Sequence, residues 1–311
     1  MNNNILFFLE EIKEHLNPQE KSKKIAYSKI INIIKNLDFK IDCNTELSKI
    51  KGIGKKTDEK IRIFLNGDSD NSTHQLYSEM LEITGIGNKK AKELCNQVET
   101  MDELIENKDK LLNNKQKLGL KYYKYDRLKI PRCEMDEHYK YIQKQIDGNI
   151  NNSQYTITGS YRRNKDVSGD IDLIITCESN ILNKLVETFI NSNYIIDTYA
   201  KGVNKFMGWC KLPIEWCKLP IEWCKLPNNT PRRLDILFSS QEEYPFSILY
   251  FTGSREYNKF MRTEAIKQNL RLNEHGLFDK GTMESVDHYF NDEKSIFDYL
   301  NIDYIEPHCR Y

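Results

Sequence analysis

The run Gly159-Ser160-Tyr-Arg-Arg, followed by Ser168-Gly-Asp170-Ile-Asp172-Leu, constrains the fold of this 311-residue chain more than any other feature. Gly159-Ser160 ends YTITGS (155–160), which reads as a strand by its branched and aromatic content, and opens a turn, a place where backbone and hydroxyl donors can grip a phosphate. Asp170 and Asp172 stand two residues apart at IDLIIT (171–176), which reads as a strand by its branched apolar content. Period-two alternation sends both carboxylates to one face. Two carboxylates on one face repel unless a cation lies between them, and two Mg²⁺ ions roughly 3.5–4 Å apart use such a pair as bridging ligands. A third acid on a neighbouring strand would complete the set, and Asp235 in Arg232-Arg-Leu-Asp-Ile-Leu is placed for it. A D-x-D pair alone says little. Gly-Ser, then D-x-D about ten residues on, then a later strand Asp, is a nucleotidyltransferase pattern.

The segments around this run alternate between strand-like and helical patterns. KFMGWC (205–210) and RLDILF (233–238) read as strands, and ILNKLVETFI (181–190) as a helix between strands. The second half thus predicts a palm of mixed or antiparallel sheet with a shorter mixed tail from about residue 242. The first third is helical: IAYSKIINIIKNL (25–37) spaces its apolar residues as a helix does. Two segments there echo each other, Ile50-Lys-Gly-Ile-Gly-Lys-Lys and Ile83-Thr-Gly-Ile-Gly-Asn-Lys-Lys, each followed by a helical pattern. A Gly-x-Gly turn opening a helix leaves backbone N–H groups pointing outward, where they and the helix dipole can hold a phosphate. Gly52, Gly54, Gly85 and Gly87 therefore mark two helix-hairpin-helix motifs suited to sequence-independent backbone contact.

Charge supports a polyanion partner. The chain carries 46 basic and 46 acidic residues, but residues 21–62 hold twelve Lys/Arg against five acids, and residues 68–107 three against nine. No run of eighteen apolar residues marks a membrane span, and MNNNILFFLEEIKEH lacks the basic start of a signal peptide. Eight cysteines without a C-x-x-C pair argue against a disulfide scaffold or structural zinc. The expectation is a reduced intracellular protein, nuclear if cellular, at a cytoplasmic replication site or in the virion if viral. The unit WCKLPIE recurs nearly three times over 209–227; a proline in every unit forbids a continuous helix, and the run reads as a duplicated loop between two palm strands.

The run GSYRRNKDVSGDIDLIIT resembles the palm motif of the family X DNA polymerases, the polymerase beta group in particular. YFTGSREYNKFMR (250–262) resembles that family's nucleotide-binding segment, and KGVNKFMG, NEHGLF, EKSIFDYL, LGLKYY and IPRCEM also fit, so the likeness runs from about residue 20 to 307. It implies an α+β fold: a helical 5′-deoxyribose-phosphate lyase-like domain (1–78), a helix-hairpin-helix fingers subdomain (79–131), a nucleotidyltransferase palm with a β-sheet (132–241) and a small mixed thumb-like nucleotide-selection subdomain (242–311). It further implies templated filling of short gaps in base excision repair by a monomer. The substrates are dNTP and gapped or nicked DNA, with a DNA ligase following. The resemblance implies two Mg²⁺ ions as cofactor, with Mn²⁺ as an alternative, and a place for a monovalent cation at the hairpin turns.

The resemblance also assigns residues. Asp170 and Asp172 would bind both metals and Asp235 the catalytic one. Ser160, Arg163 and Gly169 would hold the triphosphate, while Tyr250, Phe251, Thr252 and Gly253 would form the sugar pocket and Asn258 would touch the incoming base. Lys259 and Arg262 would meet the templating strand, with Lys205 also on DNA and Glu274 in the closing motion. Lys60 would be the Schiff-base nucleophile of the lyase, with Lys23, Tyr27 and Lys56 in its 5′-phosphate pocket. Arg162 and Arg232 read as surface or DNA-phosphate contacts. Three positions depart from the family: Ser22 stands for a histidine in that pocket, Leu237 for an arginine that pairs with the acid at Glu274, and Arg255 for an acid near the nucleotide base. Two other readings stay open, a template-independent nucleotidyltransferase or a polymerase without lyase activity. A non-catalytic scaffold has no reason to gather three repelling carboxylates.

Overall fold

The computed structural model describes residues 2–16, 20–42, 44–66, 71–213, 216 and 230–310. They form two compact units, Met1–Tyr123 and Lys124–Tyr311. Among the described residues no helix is long and apolar enough to cross a membrane.

The first unit is helical: α1 (Asn3–His15), α2 (Lys21–Lys35), α3 (Lys55–Asn66), α4 (Asn71–Leu81), α5 (Asn88–Cys95), α6 (Met101–Glu106), α7 (Lys108–Leu111) and α8 (Asn114–Asp126), the last continuing past the unit boundary. It has two cores. Ile5 and Leu9 of α1 pack with Ile30, Ile31 and Ile34 of α2 and with Ile53 and Ile61. Phe7, on the other side of α1, packs with Tyr77, Met80, Ile86 and Leu94. The two Gly-x-Gly turns are built alike. The Ile53 N–H donates to the Ile50 carbonyl and the Ile86 N–H to the Ile83 carbonyl, each at 3.0 Å, so the central isoleucine is tucked under the turn. Gly52 has φ +101° and Gly85 φ +91°, values that L side chains rarely adopt. At Gly52 a Cβ would also lie 2.6 Å from the Ile33 Cδ1. Gly52→Ala is therefore expected to destabilise the first unit by about 1–3 kcal/mol, read as a lowered thermal midpoint; an unchanged midpoint would show that the turn can relax.

The second unit adds β1 (Ile130–Pro131), α9 (Arg132–Asn149), β2 (Gln154–Ile157), α10 (Gly159–Arg162), β3 (Val167–Ser168), β4 (Ile171–Thr176), α11 (Leu182–Asn191), β5 (Ile195–Lys201), β6 (Lys205–Cys210), β7 (Arg232–Phe238), α12 (Tyr244–Thr252), α13 (Arg255–Lys267), β8 (Leu270–Asn273), β9 (Gly276–Asp279) and α14 (Glu293–Tyr299). The main sheet runs β2-β4-β7-β6-β5, with only the central β4–β7 pair parallel. Its apolar face, including Ile171, Leu173, Leu234 and Ile236, packs on α9 and α11 through Ile142, Ile146, Leu185 and Phe189. The small β8–β9 hairpin shares a second core with α12, α13 and α14. Ile174 joins the two through Tyr244 and Ile248.

Three expectations need correction. Asp170 does not lie on the strand: β4 begins at Ile171, and Asp170 belongs to the turn before it. The strand expected over 155–160 ends at Ile157, because Gly159 with φ +60° turns the chain into α10. The first WCKLPIE unit is not wholly loop. Trp209 and Cys210 belong to β6 and are buried, with the Trp209 Nε1 donating to Asp126 at 2.7 Å. Trp216 packs edge-on against Tyr141, and Cys217, Trp223 and Cys224 lie outside the described residues.

Candidate active site

The parallel β4–β7 register places Asp172 directly beside Asp235. On each strand the flanking residues are fully buried, Ile171 and Leu173 on one, Leu234 and Ile236 on the other, so alternation turns both aspartates to the opposite face. Asp170 reaches the same place from the preceding turn. Burial, assisted by the Asp235 charge, holds the Asp170 carboxyl above the usual carboxylate range. Burial together with Asp170 and Asp235 pushes Asp172 up to about 7, against the opposing pull of Arg233 and Lys205. The Arg233 Nε stands 3.5 Å from the Asp235 Oδ1 and the Lys205 Nζ 3.9 Å from its Oδ2. Among the described residues, no three His, Cys, Asp or Glu side chains converge as a finished metal cage. The donor set nonetheless suits a hard divalent cation: three carboxylates, two of them held off their ordinary ionisation by one another and by burial.

The Gly-Ser turn closes over this acidic centre. A Cβ on Gly159 would come within 2.7 Å of the Asp172 Oδ2, so only glycine fits. Ser160, Arg163, Asp170, Asp172, Tyr250, Phe251, Gly253, Asn258, Lys259 and Arg262 all line one cleft of about 790 Å³. Arg255, Asn258, Arg262 and Ile266 enter it from α13 at spacings of three or four, one stripe of the helix. Asn258 donates its side-chain amide to the Tyr250 carbonyl at 2.7 Å, and the Arg262 guanidinium lies over the Tyr250 ring at 5.1 Å. Arg262 is 3.9 Å from Glu274. The Arg163 Nη1 donates to the Thr252 carbonyl at 2.5 Å, and burial lowers the Arg163 pKa.

Not every expected residue is in the cleft. Thr252 is fully buried and does not line it, and neither do Gly169, Asp235 or Lys205. Arg232 is not a surface residue, and Arg162, half-buried, is tied up in internal pairs. Arg162 makes a bidentate pair with the buried Glu293 at 3.0 and 3.2 Å and donates to the Thr252 Oγ1 at 2.6 Å. Glu293 also accepts from Arg310, whose guanidinium is enclosed by Tyr257, Phe297 and Tyr304. Arg232, 2% exposed, forks onto Glu134 with two 2.6 Å bonds and donates to the Leu128 carbonyl at 3.1 Å. Period two from Leu234 and Ile236 puts Arg232 on the buried face, a signal present in the sequence. For Arg162 no local signal exists, since its partner lies 131 residues away.

The aspartate cluster makes a testable prediction. Asp172 binds a proton in the folded chain up to about pH 7, and in the unfolded chain only to near its ordinary value of 3.8. The folded state therefore holds more protons between these values, and its stability falls as pH rises through that window, by at most roughly 1.4 kcal/mol per pH unit. In EDTA, Asp172→Asn is expected to melt above the wild type at pH 8 and to flatten the pH profile between 5 and 7. Mg²⁺ should raise the wild-type midpoint and leave that of the variant nearly unmoved. Equal pH profiles would show that the carboxylates do not strain one another.

In the first unit, the Lys60 Nζ donates to the Tyr27 hydroxyl at 3.1 Å, joining α3 to α2. Lys23, one turn before Tyr27, pairs with Glu20 at 2.5 Å. Lys56 is exposed at the start of α3, and Ser22 is exposed on α2. Asp58, buried in the first turn of α3, accepts from the Ser48 N–H and from Arg62.

A mixed sheet with paired aspartates on its parallel centre, a Gly-Ser turn over them and a helical subdomain facing the cleft define the nucleotidyltransferase class of palm, here preceded by two helix-hairpin-helix turns. Family models agree along nearly the whole chain: a helix-hairpin-helix domain over 1–70, the fingers domain of DNA polymerase lambda over 78–125, the DNA polymerase beta palm over 129–241 and the DNA polymerase beta thumb over 247–311. The chain belongs to the family X DNA polymerases, close to the beta and lambda members. It is 26% identical to DNA polymerase lambda of Arabidopsis thaliana over 94% of its length, and 25% identical to DNA nucleotidylexotransferase of Xenopus laevis over 93%. It covers 58% and 64% of those two relatives. A crystal structure of Leishmania infantum polymerase beta in a ternary P/T complex superposes with a TM-score of 0.68 at 27% identity, covering 78% of this chain and all of that one.

Proposed function

We propose that the chain is a gap-filling DNA-directed DNA polymerase with a second, 5′-deoxyribose-phosphate lyase activity. The observation that carries the first reading is the Asp172–Asp235 register with Asp170 beside it, in a cleft roofed by the Gly-Ser turn and by α13. Asp170, Asp172 and Asp235 would hold two Mg²⁺ ions, which when bound acidify the primer 3′-hydroxyl and neutralise the departing pyrophosphate. Ser160 and the backbone N–H groups opening α10 bind the outer phosphates, and Arg163 adds charge-assisted bonds. Tyr250, Phe251 and Gly253 bound the sugar. Asn258, anchored on the Tyr250 carbonyl, sits where the base pair forms, with Lys259 and Arg262 toward the template. The hairpin turns at Gly52–Gly54 and Gly85–Gly87, where a monovalent cation would also be held, grip phosphates, so binding is insensitive to sequence and sensitive to salt. The protein acts as a monomer and leaves a nick for a DNA ligase. The division at residues 78, 131 and 241 is part of this reading.

For the lyase, the Lys60 amine attacks C1′ of the ring-opened sugar and water leaves to give an imine. Loss of a C2′ proton to water then expels the C3′ oxygen, freeing a 5′-phosphate on the downstream strand, and hydrolysis of the imine releases the unsaturated aldehyde and restores the Lys60 amine. The Tyr27 hydroxyl holds the Lys60 amine in place, and Lys23 and Lys56 supply charge for the sugar's phosphate. A one-nucleotide gap carrying a 5′-deoxyribose phosphate, with Mg²⁺, dNTPs and borohydride, tests both readings. Templated insertion and a trapped covalent adduct are expected; insertion without an adduct would remove the lyase and point first to Ser22. A template-independent transferase is favoured by the similarity to the Xenopus nucleotidylexotransferase. Extension of a single-stranded primer as fast as a gap would establish it instead.

A further inference from the structure

The loop that runs from the Gly-Ser turn to Asp170 is held from behind by the start of α9. Ser160 and Arg163 line the nucleotide cleft, whereas Tyr161, between them, does not. The Tyr161 ring joins the sheet core beside Tyr139, and its hydroxyl donates to the Asp136 Oδ1 at 2.9 Å. The Arg132 guanidinium lies over the same ring, 4.6 Å from its centroid. The Arg132 Nη1 donates to the Tyr161 carbonyl at 3.1 Å and to the Lys165 carbonyl at 3.4 Å, and the Arg132 N–H donates to the Asp166 carbonyl at 2.9 Å. Arg132 and Asp136 stand four apart on α9, so one face of the helix presents both. That helix is itself fixed, since Met135, Ile142 and Ile146 are buried in the sheet core.

The turn closes on its own backbone: the Asn164 N–H donates to the Tyr161 carbonyl at 3.0 Å and the Lys165 N–H to the Ser160 carbonyl at 3.1 Å. The α9 contacts therefore set where the turn stands rather than its shape. Just beyond Asp166, β3 pairs with β1, the two residues directly before Arg132, and Gly169 and Asp170 follow. One helix end thus fixes both flanks of the loop, the phosphate-binding turn and the turn that carries a metal-binding carboxylate. A misplacement of about 1 Å between two such groups is costly for the chemistry they share. We propose that Arg132, Asp136 and Tyr161 are positioning residues for the nucleotide: a clamp on the back of the Gly-Ser turn that holds Ser160 and Arg163 in place against Asp170 and Asp172. Burial, with the Asp136 charge, pushes the Tyr161 phenol up to about 12, so the donor of the clamp stays protonated. The proposal rests on the nucleotide-binding reading of the cleft given above.

The test uses the full chain on gapped DNA with a dideoxy-terminated primer, where dNTP and inorganic tripolyphosphate bind with Mg²⁺ without turnover. Tyr161→Phe keeps the ring and its contact with Arg132 and loses only the hydroxyl. It is expected to weaken both ligands about fivefold, the effect of one hydrogen bond, while the affinity for DNA stays put. On an extendable primer the dNTP KM should rise by a similar factor with a smaller change in kcat. Asp136→Ala should reproduce Tyr161→Phe, and the double variant should be no worse than either single one. Asp136→Asn, which keeps an acceptor oxygen, should restore the wild-type values. Arg132→Met keeps the stem, loses both side-chain bonds and should weaken both ligands about tenfold. A Tyr161→Phe chain with a lowered thermal midpoint but wild-type affinity for both ligands would make the contact structural only and overturn the proposal. Weakened dNTP with unchanged tripolyphosphate would put the effect in the sugar or base pocket and also overturn it. A wild type that binds neither ligand refutes the nucleotide reading and the clamp with it, a result distinct from wild-type binding that the variants leave unchanged.

Discussion

Asp235→Ala is expected to reduce gap filling by roughly a thousandfold or more, about 4 kcal/mol of transition-state stabilisation, and to leave borohydride trapping intact. Lys60→Ala is expected to do the reverse. Asp235 faces Asp172 across the parallel pair and is the carboxylate that Arg233 and Lys205 hold toward the cleft edge. Its loss removes a ligand from the proposed two-metal set without opening the core, since Leu234 and Ile236 carry the packing of β7. Lys60 is exposed on α3 in the other compact unit, so its truncation costs only a hydrogen bond and a cation–π contact to Tyr27. The separation is the test: an Asp235→Ala chain that still inserts nucleotides would exclude the metal role, and a Lys60→Ala chain that is still trapped would exclude the Schiff-base assignment.

Glu293→Ala should have the largest effect on stability. Glu293 accepts from Arg162 and Arg310, and Arg310 is fully buried among three aromatic rings with one guanidinium nitrogen, Nη2, already without a partner. Truncation leaves a buried cation whose remaining acceptor is the Ile305 carbonyl. Breaking a buried pair in this way costs roughly 3–5 kcal/mol, and the thermal midpoint should drop by about 10 °C. The effect should reach the cleft, because Arg162 ties the Gly-Ser helix to Thr252 at the end of α12. A rise in dNTP KM of about tenfold with a smaller change in kcat is expected. A Glu293→Gln variant, which keeps an acceptor but not the charge, should fall between. A Glu293→Ala chain that melts with the wild type would show that Arg310 finds water instead.

Much of this was legible in the chain. The aspartates, the Gly-Ser turn and both hairpin turns are local patterns, and local patterns follow from the periods of strand and helix and from the sterics of glycine. Asp170 lies before the strand: period two describes where a carboxylate points, not where the ladder begins. Arg232 was readable as buried from its alternation with Leu234 and Ile236, but an arginine is seldom buried without a partner, and Glu134 lies 98 residues away.

By itself the sequence determined which family the chain joins and pointed to the residues proposed to carry the chemistry. Tertiary structure alone decided the parallel pairing that sets Asp172 beside Asp235, the buried ion pairs that convert Arg162 and Arg232 from expected DNA contacts into internal ties, and the hold of α9 on the back of the Gly-Ser turn. The reason is physical: strand order, burial of a charge and the packing of a helix behind a loop depend on residues distant in the chain. They follow from the balance of desolvation and pairing in the folded state, which no short window of sequence contains.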